Sequence, residues 1–84
     1  MNHYASPEFW ACFDVLPDPV KELARKNYAL LKENPHHPSL YLKHIKNYRS
    51  VRIGLHYRAL GVEVQDGILW FWIGTHTDYD KLLR

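Results

Sequence analysis

His76 follows an unbroken apolar run, Ile68-Leu69-Trp70-Phe71-Trp72-Ile73, and only Gly74 and Thr75 stand between them. An imidazole titrates near neutrality, so a histidine brought to a sheet edge by a rigid strand can give or take a proton. It can equally cap a helix or bond a carbonyl. A second concentration of chemistry lies upstream. From Lys43 to Arg58 the chain carries Lys43, Lys46, Arg49, Arg52 and Arg58, with His44 and His56 and no acid, interleaved with Tyr41, Tyr48 and Tyr57. Cations set between aromatic rings suit a phosphate backbone. The plainer reading is a solvated sheet face whose charges keep an edge from aggregating. His56 lies beside these cations and could share proton work. Tyr79 could stack on a base, or pack a last helix against the sheet.

Other chemistries find less support. His36-His37, with His3 and His44, invites a metal, but no cysteine or acid stands at ligand spacing and adjacent residues seldom chelate one ion. A polar loop after Pro35 explains the pair. Cys12 is the single cysteine, which rules out an internal disulfide or a cysteine cage and suits a reducing cytoplasm. It lies among Trp10, Ala11 and Phe13, the setting of an inert buried thiol. No phosphate-cradling glycine loop or serine triad is present, and no cofactor is expected.

These residues need elements to position them. Ser6-Pro7-Glu8 has the order of a helix start: a hydroxyl cap, a proline where no donor is needed, and an acid at the positive end. Phe9, Trp10, Phe13 and Leu16 follow at helical spacing. Leu16-Pro17-Asp18-Pro19 ends that helix and opens another, with Asp18 as its cap. Val20, Leu23, Ala24, Tyr28 and Leu31 make one stripe, and Lys21, Glu22, Arg25, Lys26 and Lys32 face water. So short a connection predicts an antiparallel helical hairpin.

After Pro38 the period changes to two. Leu40-Tyr41-Leu42-Lys43-His44-Ile45 is a candidate strand with an irregular start. In Tyr48-Arg49-Ser50-Val51-Arg52-Ile53, Val51 and Ile53 alternate with Ser50 and Arg52. Gly54 marks a turn or bulge, residues 55–64 make the next strand, and Gln65-Asp66-Gly67 turns into the apolar run, expected to be buried on both faces. Strict alternation sets Arg58 with Leu60, Val62 and Val64. Either a bulge near Ala59 re-aims the strand, or Arg58 lies beyond the packed zone. Thr77-Asp78-Tyr79-Asp80 predicts a capped terminal helix over 78–83. The expected fold is α+β: a two-helix hairpin on a small, mainly antiparallel sheet, with a short C-terminal helix. The hairpin would cover one face and leave the other, where Arg52 points, open to a partner.

The 84 residues suffice for one domain, 1–84, and an apolar fraction of 46% indicates a folded globule. A net charge of +2 says less than its clustering. No segment reaches the roughly 18 apolar residues of a membrane helix, and the N-terminus lacks the basic and apolar regions of a signal peptide. A cytoplasmic location is expected.

Several pieces in order carry a resemblance. They are Leu16-Pro17 with Val20, then Leu31-Lys32-Glu33-Asn34-Pro35, then Pro38-Ser39-Leu40 with Lys43. Ser50-Val51-Arg52-Ile53-Gly54, Tyr57-Arg58-Ala59-Leu60 and Trp72-Ile73-Gly74-Thr75-His76 complete the set. Together they span nearly the whole chain, which resembles the RelE/ParE superfamily of bacterial type II toxin–antitoxin toxins. The resemblance implies a compact toxin neutralised by a small antitoxin that covers apolar surface and masks the basic face. RelE-like members cleave messenger RNA on the ribosome without a metal, as mRNA interferases that inhibit translation. ParE-like members poison DNA gyrase without a nuclease site.

On the nuclease reading, the resemblance implies His76, Arg52 and Arg58 as catalytic residues, His76 moving a proton and the two arginines holding the scissile phosphate. Forked donors suit that task. Lys43, Tyr79, His56 and Arg49 would contact the substrate. Ser50 stands where the nucleases often carry a second basic residue. That departure keeps open a ParE-like gyrase inhibitor, or a degenerate module that only binds the antitoxin.

Overall fold

The computed structural model describes residues 1–84. The chain runs β1 (Asn2–Ala5), α1 (Pro7–Asp14), α2 (Asp18–Glu33), a 3-10 turn (Pro38–Leu40), β2 (Lys43–Ile45), β3 (Tyr48–Ile53), β4 (Tyr57–Val64), β5 (Gly67–Thr75) and α3 (His76–Leu82). The five strands form one sheet in the order β1-β5-β4-β3-β2. β1 joins β5 in parallel, and every other pairing is antiparallel. This is the α+β fold expected, with one addition. The N-terminal strand has no apolar alternation and is held by backbone pairing, by Ser6 N–H on the Trp70 carbonyl, and by Asn2 and Tyr4 donating to the Asp66 carboxylate.

Local chemistry explains the element ends. Ser6 caps α1 by accepting the Phe9 N–H at 3.3 Å, and Pro7 occupies the first turn as anticipated. In α2 the start shifts by one residue: Pro17 is the cap position, Asp18 the first helical residue, and no side-chain capping bond forms. The acid still faces the positive helix end, which accounts for its place there. Gly54 adopts φ +64° in the tight connection between β3 and β4, a backbone region that favours glycine.

α1 packs on β5 and α2 on β3, so both helices cover the same side of the sheet. Between them and the strands lies the core of Phe13, Leu31, Leu40, Val51, Ile53, Ala59, Ile68, Trp70 and Ile73. Val51 and Ile53 face this core, as their alternation with Ser50 and Arg52 required.

The irregularity sought near Ala59 lies in the partner strand. Across β4 and β5, Leu60 pairs with Trp72 while Gly61 pairs with Trp70, so Phe71 is an extra residue. Trp70 and Ile73 are both core residues; the two between them therefore turn to the other face. There Phe71 meets Tyr48 at 5.7 Å and Trp72 meets Tyr79 at 6.5 Å between ring centroids. The apolar run is thus not sealed evenly on both sides: Ile68, Trp70 and Ile73 are buried, while Leu69, Phe71 and Trp72 are half-buried. Leu60 is 1% exposed yet stands outside the helix-side core, because α3 packs over this second face against β4 and β5. Arg58 shares that face and lies past the covered part.

A cationic pocket on the second face

Two rows of cross-strand partners build the second face. One row runs Lys43, Ser50, Leu60, Trp72, and the next runs Arg52, Arg58, Gly74. Directly paired residues in an antiparallel sheet share a side, so the register alone sets Lys43, Arg52 and Arg58 together. The second row ends in a glycine. α3 then folds back over the sheet from the residue that follows.

α3 begins two residues earlier than its sequence suggested. Thr75, not Thr77, is the cap, and its hydroxyl accepts the Asp78 N–H at 3.1 Å. His76 is consequently the first helical residue. Its N–H, one of the unpaired donors of a helix start, is met by the His56 carbonyl at 2.8 Å. The start of α3 is thereby pinned to the β3–β4 turn. One helical turn on, Asp80 places its carboxylate 3.4 Å from His76 Nε2. The imidazole is 48% exposed and lies beside Tyr79, 6.0 Å between ring centroids.

The result is a cavity of about 260 Å³ lined by Tyr41, Lys43, Ser50, Arg52, Arg58, His76 and Tyr79. Three cations and one imidazole line it and no acid does, a lining whose charge would suit an anion. Arg58 donates from Nη1 to the Tyr57 carbonyl at 2.8 Å. Burial, and after it the Arg52 charge, draws Arg58 below the usual arginine range, while Tyr79 and Asp80 pull the other way. An arginine so far above neutrality stays charged, so the pocket holds two crowded guanidinium groups that an anion would relieve. Arg52 lies over the Tyr41 ring at 5.1 Å, a cation–π contact. Its backbone carbonyl is fixed by Asn27 Nδ2 from α2 at 3.1 Å.

Five of the seven residues singled out from sequence meet here: His76, Arg52, Arg58, Lys43 and Tyr79. Two do not. Arg49 alternates with Arg52 and projects to the opposite face, where its Nε donates to Glu63 Oε1 at 2.8 Å and His44 joins the same oxygen at 3.0 Å. That ion pair holds Arg49 outside the cavity, and the Arg49 guanidinium depresses the Glu63 carboxyl below its ordinary value. His56 sits in the exposed β3–β4 turn and contributes its carbonyl rather than its ring. Tyr79 needs a correction of another kind. It is 4% exposed, so it forms the floor of the cavity and offers no free face for stacking. Its hydroxyl is buried without a hydrogen-bond partner.

Sequence reasoning gave no site role to Tyr41 or Asp80, and marked Ser50 only as a departure from the nuclease pattern. Tyr41 was visible only as one of several tyrosines among cations. Asp80 stands four residues after His76, a helical spacing hidden when the helix is begun at Asp78.

A family profile described as a ParE-like toxin domain matches residues 18–81. The chain belongs to that family. It is a RelE/ParE superfamily toxin of the toxin–antitoxin kind, as the ordered motifs suggested. The fold agrees with solved structures. Against YafQ from Escherichia coli strain BL21(DE3) the TM-score is 0.73 at 13% identity, covering 93% of this chain and 96% of that one. A chain of the RelB-RelE antitoxin-toxin complex from Methanococcus jannaschii gives 0.73 at 16% identity, covering 96% and 99%. The isolated E. coli RelE toxin gives 0.63 at 11%, covering 95% and 93%. At such identities the likeness concerns the fold. No curated protein matches the chain in sequence. No helix of the toxin is long and apolar enough to cross a membrane.

Proposed function

We propose that residues 1–84 act as one toxin domain that cleaves messenger RNA without a metal, as an endoribonuclease that inhibits translation. The observation that carries this reading is the convergence of His76, Arg52, Arg58 and Lys43 on one acid-free cavity. In such a reaction the 2′-oxygen attacks phosphorus and loses its proton, and the bond from phosphorus to the 5′-oxygen breaks. The 5′-oxygen then takes a proton, leaving a 2′,3′-cyclic phosphate and a 5′-hydroxyl. The attack adds negative charge to the phosphoryl oxygens, where the guanidinium groups of Arg52 and Arg58 would meet it. His76, oriented by Asp80, moves one of the two protons. His56 does not face the cavity, so water is left to carry the other.

The toxin is inhibited by a cognate antitoxin, in keeping with the RelB-RelE antitoxin-toxin complex and the DinJ-YafQ complex among the structures it resembles. The substrate is messenger RNA, free or presented by the ribosome.

Induced expression of wild type and His76→Ala in cells tests the reading. Wild type should arrest growth and fragment transcripts, and the variant should cleave about 100-fold slower or worse. Equal arrest with transcripts intact would overturn it.

The ParE-like description of the matching family favours a second reading, a non-catalytic toxin that binds DNA gyrase. It predicts double-strand breaks and filamentation with whole transcripts, indifferent to His76→Ala. A degenerate antitoxin-binding module predicts no toxicity from either protein.

A further inference from the structure

The segment between α2 and β2 builds a second concavity that shares one wall with the cationic pocket. Pro35 and Pro38 restrict the backbone on either side of His36 and His37, and the 3-10 turn that follows anchors Leu40 in the core at 1% exposure. Ser39 is tied to His37, its N–H on Nδ1 at 3.2 Å and its hydroxyl within 2.8 Å of the same nitrogen. The next residue, Tyr41, adopts φ 51° and ψ 41° in the left-handed region, which a bulky side chain rarely occupies. The residue in that conformation is 62% exposed to solvent. The left-handed residue ends the 3-10 turn, its N–H on the Pro38 carbonyl at 3.3 Å, and this cap rather than core packing sets where the side chain stands.

Pro35, His36, His37, Pro38, Tyr41 and Leu42 enclose about 370 Å³. Tyr41 is the one residue common to this concavity and the cationic pocket, and within the pocket Arg52 stands over its ring. A tyrosine whose ring is in contact with a guanidinium and which also borders an open hollow is a candidate stacking surface held in place. The hollow adds two imidazoles, which can stack on or hydrogen-bond a base, and flat apolar proline faces.

We propose that this hollow is a nucleobase subsite. Single-stranded RNA with a phosphate in the Arg52, Arg58 and Lys43 pocket lays a neighbouring base against Tyr41, between the prolines and His36-His37. The inference rests on the ribonuclease reading and assigns to Tyr41 the stacking role that a buried Tyr79 cannot fill.

Binding of a short, non-cleavable oligoribonucleotide, 2′-O-methylated throughout, tests it by fluorescence anisotropy with the full chain. A parallel set of oligonucleotides carries one abasic residue, moved position by position. Tyr41→Ala should weaken binding of the intact strand about five- to 150-fold, the range for losing one base–aromatic stack. Tyr41→Phe and Tyr41→Trp should retain it. One abasic position should cost the wild type a similar factor and cost Tyr41→Ala nothing further. Tyr41→Gly, which relaxes the left-handed backbone, should melt no lower than wild type yet bind as weakly as Tyr41→Ala. If Arg52→Gln and Arg58→Gln weaken binding while Tyr41→Ala does not, the subsite is wrong and the phosphate pocket stands. A Tyr41 effect with no sensitive abasic position also overturns the subsite, because the ring would then act through Arg52. Binding that ignores Arg52 and Arg58 overturns the ribonuclease reading together with the subsite.

Discussion

The hydroxyl of Tyr79 offers a sharp test of the second face. It is buried and has no hydrogen-bond partner, while the ring packs against Trp72 and His76. A buried hydroxyl without a partner costs about 1–3 kcal/mol by mutational measures. Tyr79→Phe deletes that group and keeps the ring, so the packing is preserved and the space left is a single oxygen. The net gain should be about 1 kcal/mol. For a chain of 84 residues that corresponds to a melting temperature higher by roughly 4–8 °C. Urea titration should move the midpoint upward with an unchanged slope, since the surface exposed on unfolding is the same. A phenylalanine variant that melts lower by a similar margin would refute the reasoning. It would mean that the hydroxyl is bonded in solution, through water or a shifted side chain, and that the cavity floor is built differently.

Further outcomes concern charge and pH. Arg49→Ala should leave RNA binding within about threefold, whereas Arg52→Gln and Arg58→Gln should each cost about tenfold or more, the weight of a charge-assisted bond; anisotropy titrations decide it. The same Arg49 variant should flatten the acid limb of stability. Glu63 has its pKa depressed in the fold, so its contribution is present above the ordinary carboxylate range and lost as pH falls through the folded value. His3 bears on the mildly acidic range. Burial, then the N-terminal ammonium and Lys32, hold it below the ordinary value of 6.5, and its Nδ1 accepts the Trp70 indole N–H at 3.1 Å. Below that ordinary value the unfolded chain binds the extra proton more readily, so stability falls as pH drops from about 6.5 toward the folded value. His3→Gln should remove that slope, and its melting temperature relative to wild type should rise between pH 7 and pH 5. Gly67→Ala should release β1, because an added Cβ would overlap the Asn2 backbone. Hydrogen exchange at residues 2–5 should accelerate while that of β4 and β3 is retained.

What could be read without coordinates divides along physical lines. Elements that bury a periodic face announced themselves. The stripe of α2 and the alternation in Tyr48-Arg49-Ser50-Val51-Arg52-Ile53 follow from hydrophobic burial, which leaves its period in the chain. β1 left no such mark. Asn2-His3-Tyr4-Ala5 is held by main-chain bonds, which any composition could make, and by Asn2 and Tyr4 side chains on an Asp66 carboxylate 64 and 62 residues away, which no local period reveals. The site followed the same rule. Arg52 and Arg58 were joined by the family resemblance; alternation set Arg52 on the open face and left Arg58 between a bulge and a place beyond the packed zone, which only the strand register decides. Placing His76 needed the true cap of α3, and two threonines, Thr75 and Thr77, offered equally good hydroxyls. The neighbouring His56 carbonyl favours the earlier one, and that is tertiary information. Arg49 was grouped with its neighbours in sequence, although the pleat sends it away from them.

The additional residue at Phe71 gives β5 a tolerance that its other positions lack. Along a regular strand, losing one amino acid inverts everything beyond the break, sending core side chains outward and surface ones inward. Here Phe71 and Trp72 already emerge on one side, so deleting either would leave Ile73 facing the core and the imidazole at its post. A cut elsewhere in the strand would carry that ring to the wrong side. Length variation among proteins of this architecture should therefore concentrate at this point, where the fold can absorb it without dismantling the cluster of charges.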